Sequence, residues 1–402
     1  MFELCGVLQP CCSTPKAGAW LQQSKGLERG SSTPKGSSSP KLKKMKRMSE
    51  QKKILYIAGR EASYSRTHNM ARAIANCGYE LRTILPPDRS FKHYPGLLRQ
   101  FWRLRKWPDL VVVGFYGQLL MPFVALMTRK PILYDVYIST YDTMVHDRGK
   151  ARPRSPLAFL FWLVDSLSMH MADKIILETQ DHIYDYAKKF HVNADKFERI
   201  FLAVDDRLIH PKKIENKNGR FLVHFHGEYA PFHGVKYIIQ AANQLKDQGV
   251  QFQIIGTGIT YEQDRALAES LGVDNIRFID RVPYEELADY MSRADVCLGI
   301  FGENPRTLRV LTNKVVEALA AGCPLISAKN GPVQELLKDG ESALLINRAD
   351  PEALAQAILT LKQNPELRKK IAERGYQVFQ RNCTQKVFQI RLKKIIEDML
   401  HG

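Results

Sequence analysis

From residue 53 onward, short β-branched apolar runs alternate with longer segments of helical spacing. KILYIAG (53–59), YELRTIL (79–85), DLVVVG (109–114), PILYD (131–135) and KIILET (174–179) read as strands, with helical stretches between them, the first over about 66–77. Apolar runs this continuous, joined by helices, belong to a parallel sheet covered on both faces. The pattern then restarts. FLVHFHG (221–227) is followed by FQIIGTG (252–258), NIRFID (275–280), DVCLGI (295–300), PLISA (324–328) and ALLIN (343–347). Helices at 234–247, in NKVVEALAAG (313–322), at 350–362 and at about 385–399 complete the pattern. The expected fold is α/β, two Rossmann-like doubly wound domains facing across a cleft, with ligands outside the carboxyl ends of the strands. The expected boundaries are 53–208, 209–384 and a C-terminal helix, 385–402, packing back on the first domain.

Composition adds a tail and removes several classes. The chain of 402 residues is 45% hydrophobic and 25% charged, ordinary globular usage. Of its formal charge of +17, nearly half comes from residues 1–53, which hold eleven Lys/Arg against three Glu. That segment is rich in Ser, Gly, Pro and Lys and lacks hydrophobic periodicity, so residues 1–52 are expected to be a disordered basic tail. It has no apolar centre of a secretory signal, and Met45 and Met48 are alternative starts. The longest apolar runs, LLMPFVALM (119–127) and PLAFLFWLV (156–164), fall short of the roughly 18 residues of a membrane span. Cys5, Cys11 and Cys12 of the tail and the scattered Cys77, Cys297, Cys323 and Cys383 show no zinc or disulfide spacing, and the last four read as the reduced thiols of a cytoplasmic protein. No metal is expected.

GTG at 256–258 is not followed by the third glycine of a dinucleotide fingerprint, which disfavours a nicotinamide cofactor. The sharpest segment is NKVVEALAAGCPLISAKNGPVQELLKDGESALLI (313–346). Glu317 follows Lys314 by three residues, so both project from one side near a helix start. A carboxylate there accepts hydrogen bonds from two vicinal hydroxyls, and an ammonium with helix amides suits phosphate; the same pair also reads as a surface ion pair.

Around these residues, IIGTG, NIRFIDRVPYEELADYMSRADVCL, NKVVEALAAGCPLIS and DGESALLINRADPEALAQAI together resemble the family 4 glycosyltransferases, retaining enzymes of two-Rossmann GT-B architecture. The resemblance covers about 53–395 and takes in ADKIILETQ followed by RIFLAVDD as a strand–helix–strand. It implies that Glu317 holds the donor ribose as the second Glu of an E-x7-E motif. Arg309 stands where the first Glu belongs. Gly227, Gly258, Arg281, Val282, Arg306, Arg309, Lys314 and Glu317 are the expected donor site, with the basic residues suited to a diphosphate or an acidic sugar. In FHGEYAPFHGVKYII (225–239) the family's Arg and Lys phosphate clamp is absent, with Glu228 and His233 in that stretch. His224, His226 and His233 read as structural.

In the first domain, PILYDVYISTYDTMVHDRG (131–149) is rich in hydroxyls and carboxylates just after a strand, with Tyr137 where many family members have His. Asp135, Tyr137 and Asp142 are expected at the cleft mouth as catalytic candidates, with Arg66 and Arg148 as acceptor ligands. Asp135 or Asp142 either orients or deprotonates an acceptor hydroxyl, or caps a turn. LLRQFWRLRKWP (97–108) combines Arg99, Arg103 and Lys106 with Trp102 and other apolar residues, suiting either an anionic membrane surface or packing on the sheet. The expected activity is sugar transfer from a nucleoside-diphosphate donor, itself a substrate, to a saccharide or lipid-linked hydroxyl with retention. No separate cofactor and no nucleic acid are expected, and the location is cytoplasmic, peripheral to the membrane. A nucleotide-sugar epimerase and a non-catalytic scaffold are the alternatives.

Overall fold

The near-continuous apolar runs become strands, six in each of two sheets, and the inner ones are buried on both faces. The structure, a computed structural model, describes residues 51–212 and 219–401. The expected tail lies outside the described residues. The described residues from Lys52 onward form one compact unit.

The first sheet contains β1 (Lys53–Ile57), β2 (Glu80–Ile84), β3 (Leu110–Val113), β4 (Ile132–Asp135), β5 (Lys174–Leu177) and β6 (Phe197–Arg199). They lie in the order β2-β1-β3-β4-β5-β6, every neighbouring pair parallel. The second contains β7 (Phe221–His226), β8 (Val250–Ile255), β9 (Ile276–Ile279), β10 (Val296–Leu298), β11 (Leu325–Ala328) and β12 (Leu344–Ile346), in the order β12-β11-β10-β7-β8-β9 and again all parallel. Strand order reverses between β1 and β3 in one sheet and between β7 and β10 in the other. Ligand crevices open at the carboxyl ends of such pairs.

Helices cover both faces. In the first domain they are α1 (Ser65–Asn76), α2 (Tyr94–Leu104), α3 (Met121–Met127), α4 (Pro156–His170) and α5 (Gln180–Phe190). The second has α6 (Val235–Gln244), α7 (Tyr261–Ser270), α8 (Leu287–Arg293), α9 (Asn313–Ala320), α10 (Gly331–Leu336), α11 (Pro351–Gln363) and α12 (Pro365–Asn382), and α13 (Gln385–His401) ends the chain. Their starts follow local chemistry. Ser155, Thr179, Asn330 and Asp350 each accept a backbone N–H two or three residues into the helix, and Pro occupies the first turn after Ser155, Asn330 and Asp350.

Alternation along β1 divides the first core in two. Leu55 and Ile57 pack with Leu97, Phe101, Val124 and Ile183, while Ile54 and Tyr56 lie in a cluster with Met70 and Ile74 of α1 and Phe388 and Leu392 of α13. The chain end thus returns to the first domain, where Gln385 Nε2 donates to Asn69 O at 2.8 Å and Gln389 Nε2 to Asn76 O at 2.8 Å. One strand differs from expectation: β6 is Phe197–Arg199, upstream of most of RIFLAVDD. Residues 200–204 instead run out of the sheet, buried, and Val204 bridges to Thr384 at the crossing between domains.

Candidate functional site

The crevice between β7 and β10 is overhung by the first turns of α9. Lys314 and Glu317 both lie there, 6% and 5% exposed. Glu317 Oε2 is 2.8 Å from His226 Nε2; His226 Nδ1 is 2.9 Å from His224 Nε2; His224 Nδ1 is 3.0 Å from Gln253 Nε2. On the other side of the turn, Lys314 Nζ is 3.0 Å from His233 Nε2, and His233 Nδ1 donates to the carbonyl of Glu228. All three histidines, read from sequence as structural, therefore hold the two charged side chains of α9.

Burial pushes the Lys314 ammonium down to about 7, with Glu317 and Glu228 opposing that fall. It also drives His233 well below the ordinary histidine range, with Lys314 adding to the effect, so His233 accepts from Lys314 as a neutral ring. The Tyr284 phenol is held well above its ordinary value by burial and then by the neighbouring Glu317 charge. Gly227 has φ +149°, and a Cβ there would come within 2.9 Å of Lys314 Cε, so only glycine leaves room for the lysine stem. At Gly258 a Cβ would lie 2.5 Å from Tyr229 N, and that bare position lets the loops after β7 and β8 touch.

The first-domain wall is built differently. Arg66 forms a bidentate pair with Asp135, at 2.5 and 2.9 Å, and Asp135 is 0% exposed. Asp142 receives Lys189 Nζ at 3.0 and 3.1 Å on a π-helical turn, Asp142–Asp147. Burial raises the Asp142 carboxyl, but Lys189 and Arg309 more than reverse this and hold it below its usual range. Arg306 reaches across from the second domain to Asp147 at 2.9 Å, and Glu335 of α10 accepts the N–H groups of Gln180 and Asp181 at 2.9 and 2.6 Å, capping α5 from the other domain. A small pocket between the walls is lined by Tyr137, Asp142, His182, Tyr186, Arg306 and Arg309.

Residues 206–378 match the family described as Glycosyl transferases group 1. The match lies within the second half of the chain, which is similar there to the group 1, family 4-type glycosyltransferases. The chain is 28% identical over 222 residues to a D-inositol 3-phosphate glycosyltransferase of Corynebacterium glutamicum, a match covering 50% of this chain and 52% of that protein. The match therefore spans about half the length of that relative. Among solved structures, sucrose-phosphate synthase from Thermosynechococcus elongatus superposes with a TM-score of 0.72 at 15% identity, covering 87% of this chain and 100% of that one. Anabaena HepE in complex with UDP and glucose gives 0.66 at 14%, with the same coverage. At those identities the likeness establishes the shared GT-B fold.

Within this glycosyltransferase frame, the site residues expected from sequence separate. Gly227, Gly258, Lys314 and Glu317 gather at the β7 and β8 ends. Arg281 and Val282 follow β9, Arg281 exposed with its Nε on Thr257 Oγ1 at 3.0 Å and Val282 packed on the second core. Arg306 and Arg309 do not form an open basic approach. Arg306 pairs with Asp147, and Arg309 stands 3.6 and 3.5 Å from Asp142 and Asp185, its Nε and Nη2 buried without a partner among the described residues.

Asp135 and Arg66 are not at the cleft mouth either. They consume each other in a buried ion pair beneath Tyr137, whose ring lies 5.1 Å from the Arg66 guanidinium. Tyr137 itself, at φ +37°, lines the pocket, and Arg148 is half-buried at the end of the π-helical turn. Sequence reasoning missed Gln253, and missed Glu178 with His182, a buried pair at 2.8 Å whose imidazole faces the pocket. Two signals were present: H-x-H within a strand puts both rings on one face, and E-x-x-x-H entering a helix puts both side chains on one side.

Proposed function

We propose that the protein transfers a sugar from a nucleoside-diphosphate donor to an acceptor hydroxyl. The observation that carries this reading is the pairing on α9 of a carboxylate and an ammonium, both buried, both held by histidines and both beside the bare Gly227 turn. Glu317 has the valence to accept two vicinal ribose hydroxyls, and Lys314 gains a charge partner when a diphosphate arrives. Neither α6 nor α9 has a side-chain cap, which leaves amides at both N-termini to face phosphate. As negative charge develops on the leaving diphosphate, these fixed donors stabilise it without reorganising.

The acceptor then enters from the first domain, beside Tyr137, Arg148 and His182. Retention, as the family resemblance implies, uses the departing phosphate on the same face as the incoming hydroxyl. UDP is the nucleoside diphosphate to try first, because HepE was solved with it. Purified protein incubated with UDP-sugars and saccharide acceptors should release UDP in step with a glycosylated product. Donor turnover without acceptor would instead favour an epimerase, and a folded protein that binds no nucleoside diphosphate would favour a scaffold.

A lipid-linked acceptor is supported by the outer face of the first domain. The neighbouring helices α2, α3 and α4 expose Trp102 (54%), Phe123 (50%), Leu126 (80%) and Phe159 (59%), with Arg99, Arg103, Lys106 and Arg129 also exposed along them. Among the described residues no helix is long and apolar enough to cross a membrane. An apolar patch edged with cations suits an anionic lipid surface. Co-sedimentation with phosphatidylserine vesicles but not phosphatidylcholine vesicles, lost in Leu126→Asp, is the expected result; equal partitioning to both would remove the lipid reading.

A further inference from the structure

We propose that Gln253, His224 and His226 form a one-directional hydrogen-bond relay that positions the Glu317 carboxylate for the two ribose hydroxyls of the donor. The inference rests on the ribose-binding reading of Glu317 and extends it to three residues that contact no ligand.

The direction follows from donor and acceptor inventory. The carbonyl of Tyr290 can only accept, and Gln253 Nε2 lies 3.0 Å from it, which fixes the amide orientation. The second Nε2 proton points at His224 Nδ1, so that nitrogen is bare and the ring carries its proton on Nε2. That proton is directed at His226 Nδ1, leaving the second ring protonated on Nε2 and aimed at Glu317 Oε2. Each link has one donor and one acceptor, and no link reverses without reversing all of them. The four side chains are between 0% and 7% exposed. Burial, with His226 as the next contribution, keeps His224 well below the ordinary histidine range and hence uncharged.

A neutral donor has a consequence that a cation would not. Arg66 occupies both oxygens of Asp135, whereas at Glu317 one imidazole N–H and the neighbouring Tyr284 hydroxyl still leave lone pairs for ribose hydroxyls. The two histidines are a positioning pair, since they act only through Glu317. Gln253, on the strand beside them, sets the tautomer of both.

The test uses Gln253→Glu, which keeps the shape but replaces the donating amide by a carboxylate. Two proton arrangements are open to it. Uncharged, His224 must turn its proton toward the introduced carboxylate, His226 follows, and a bare Nε2 faces Glu317. With an added proton, His224 becomes imidazolium, donates both ways and restores the relay. UDP affinity of the variant relative to wild type should therefore fall by about tenfold at pH 8 and recover toward pH 6. The other titratable groups facing this end, Lys314 and His233 with Glu228 from one side and Tyr284 with Asp205 from the other, are common to both proteins, so the ratio of affinities isolates the relay.

Nitrogen-15 histidine NMR on the ligand-free wild type should show His224 and His226 as neutral Nε2–H tautomers, a readout independent of nucleotide. Gln253→Met serves if the Gln253→Glu variant does not fold, and should weaken UDP several-fold at every pH. Wild-type rings protonated on Nδ1, or a folded Gln253→Glu variant binding UDP like wild type from pH 6 to 8, would overturn the relay and leave the ribose site standing. A wild type with the stated tautomers that binds no nucleoside diphosphate would overturn the ribose reading, and the positioning role with it.

Discussion

The two walls of the cleft hold their charges in opposite ways. On the first-domain side three buried carboxylates near the pocket each meet a cation: Asp135 with Arg66, Asp142 with Lys189, Asp147 with Arg306. On the second-domain side a buried cation and a buried carboxylate, Lys314 and Glu317, are each held by an imidazole although they sit three residues apart on one helix. An ion pair is already satisfied and resists a ligand. A charge held by a neutral group keeps part of its valence for one. The first wall thus ties the fold and the two domains together, and the second keeps valence open for a ligand.

The largest expected effect breaks the first wall. Asp135→Ala leaves Arg66 buried without its partner and should lower stability by about 3–5 kcal/mol in urea unfolding. A loss below about 1 kcal/mol would mean that this pair is not what holds α1 to β4. Next, Lys314→Met should leave the fold intact, because it removes a desolvated ammonium rather than an ion-pair member, while weakening UDP by at least about tenfold at pH 6.5. Equal destabilisation in the two variants would erase the contrast between the walls.

Proton linkage gives a subtler separation. With the Lys314 ammonium at about 7 in the folded protein and near its usual 10.5 when unfolded, the unfolded chain binds more protons between those values. Stability of the ligand-free protein should therefore gain a favourable contribution from Lys314 as pH rises above 7. UDP affinity should fall over the same range, and calorimetry at pH 8 in two buffers of different ionisation enthalpy should register proton uptake on binding. Lys314→Met should abolish that uptake. The smallest effect is expected at Arg309→Ala, under about 1 kcal/mol, because Lys189 still pairs with both Asp142 and Asp185 and the Arg309 contacts are long.

Legibility in the sequence follows the same division. Strands such as DLVVVG were readable because both faces are buried and the whole run is apolar, and Lys314 with Glu317 because helical spacing alone brings them together. Arg66 and Asp135 are 69 residues apart, so nothing local announces that each satisfies the other. That distance is why a catalytic role for Asp135 and an acceptor role for Arg66 were expected where the fold has a buried tie. Arg306 and Arg309 looked like an open basic approach for the same reason, their counter-charges lying on the other domain. The histidines are a different case. A histidine in an apolar strand usually reads as a satisfied core residue; only the alternation of His224 and His226 on one face, and Gln253 on the adjacent strand, marks a continuous polar path.

In the proposed function the α9 carboxylate binds the ribose of a nucleoside diphosphate. Thermal unfolding of wild type and Glu317→Ala with and without UDP tests it most directly, since a ligand at a hundred times its Kd stabilises the folded state by about 2.7 kcal/mol. The wild type should show a clear rise in Tm, and Glu317→Ala little or none. Equal shifts in both proteins, or no shift in a cooperatively folded wild type with any nucleoside diphosphate, would contradict this role of Glu317.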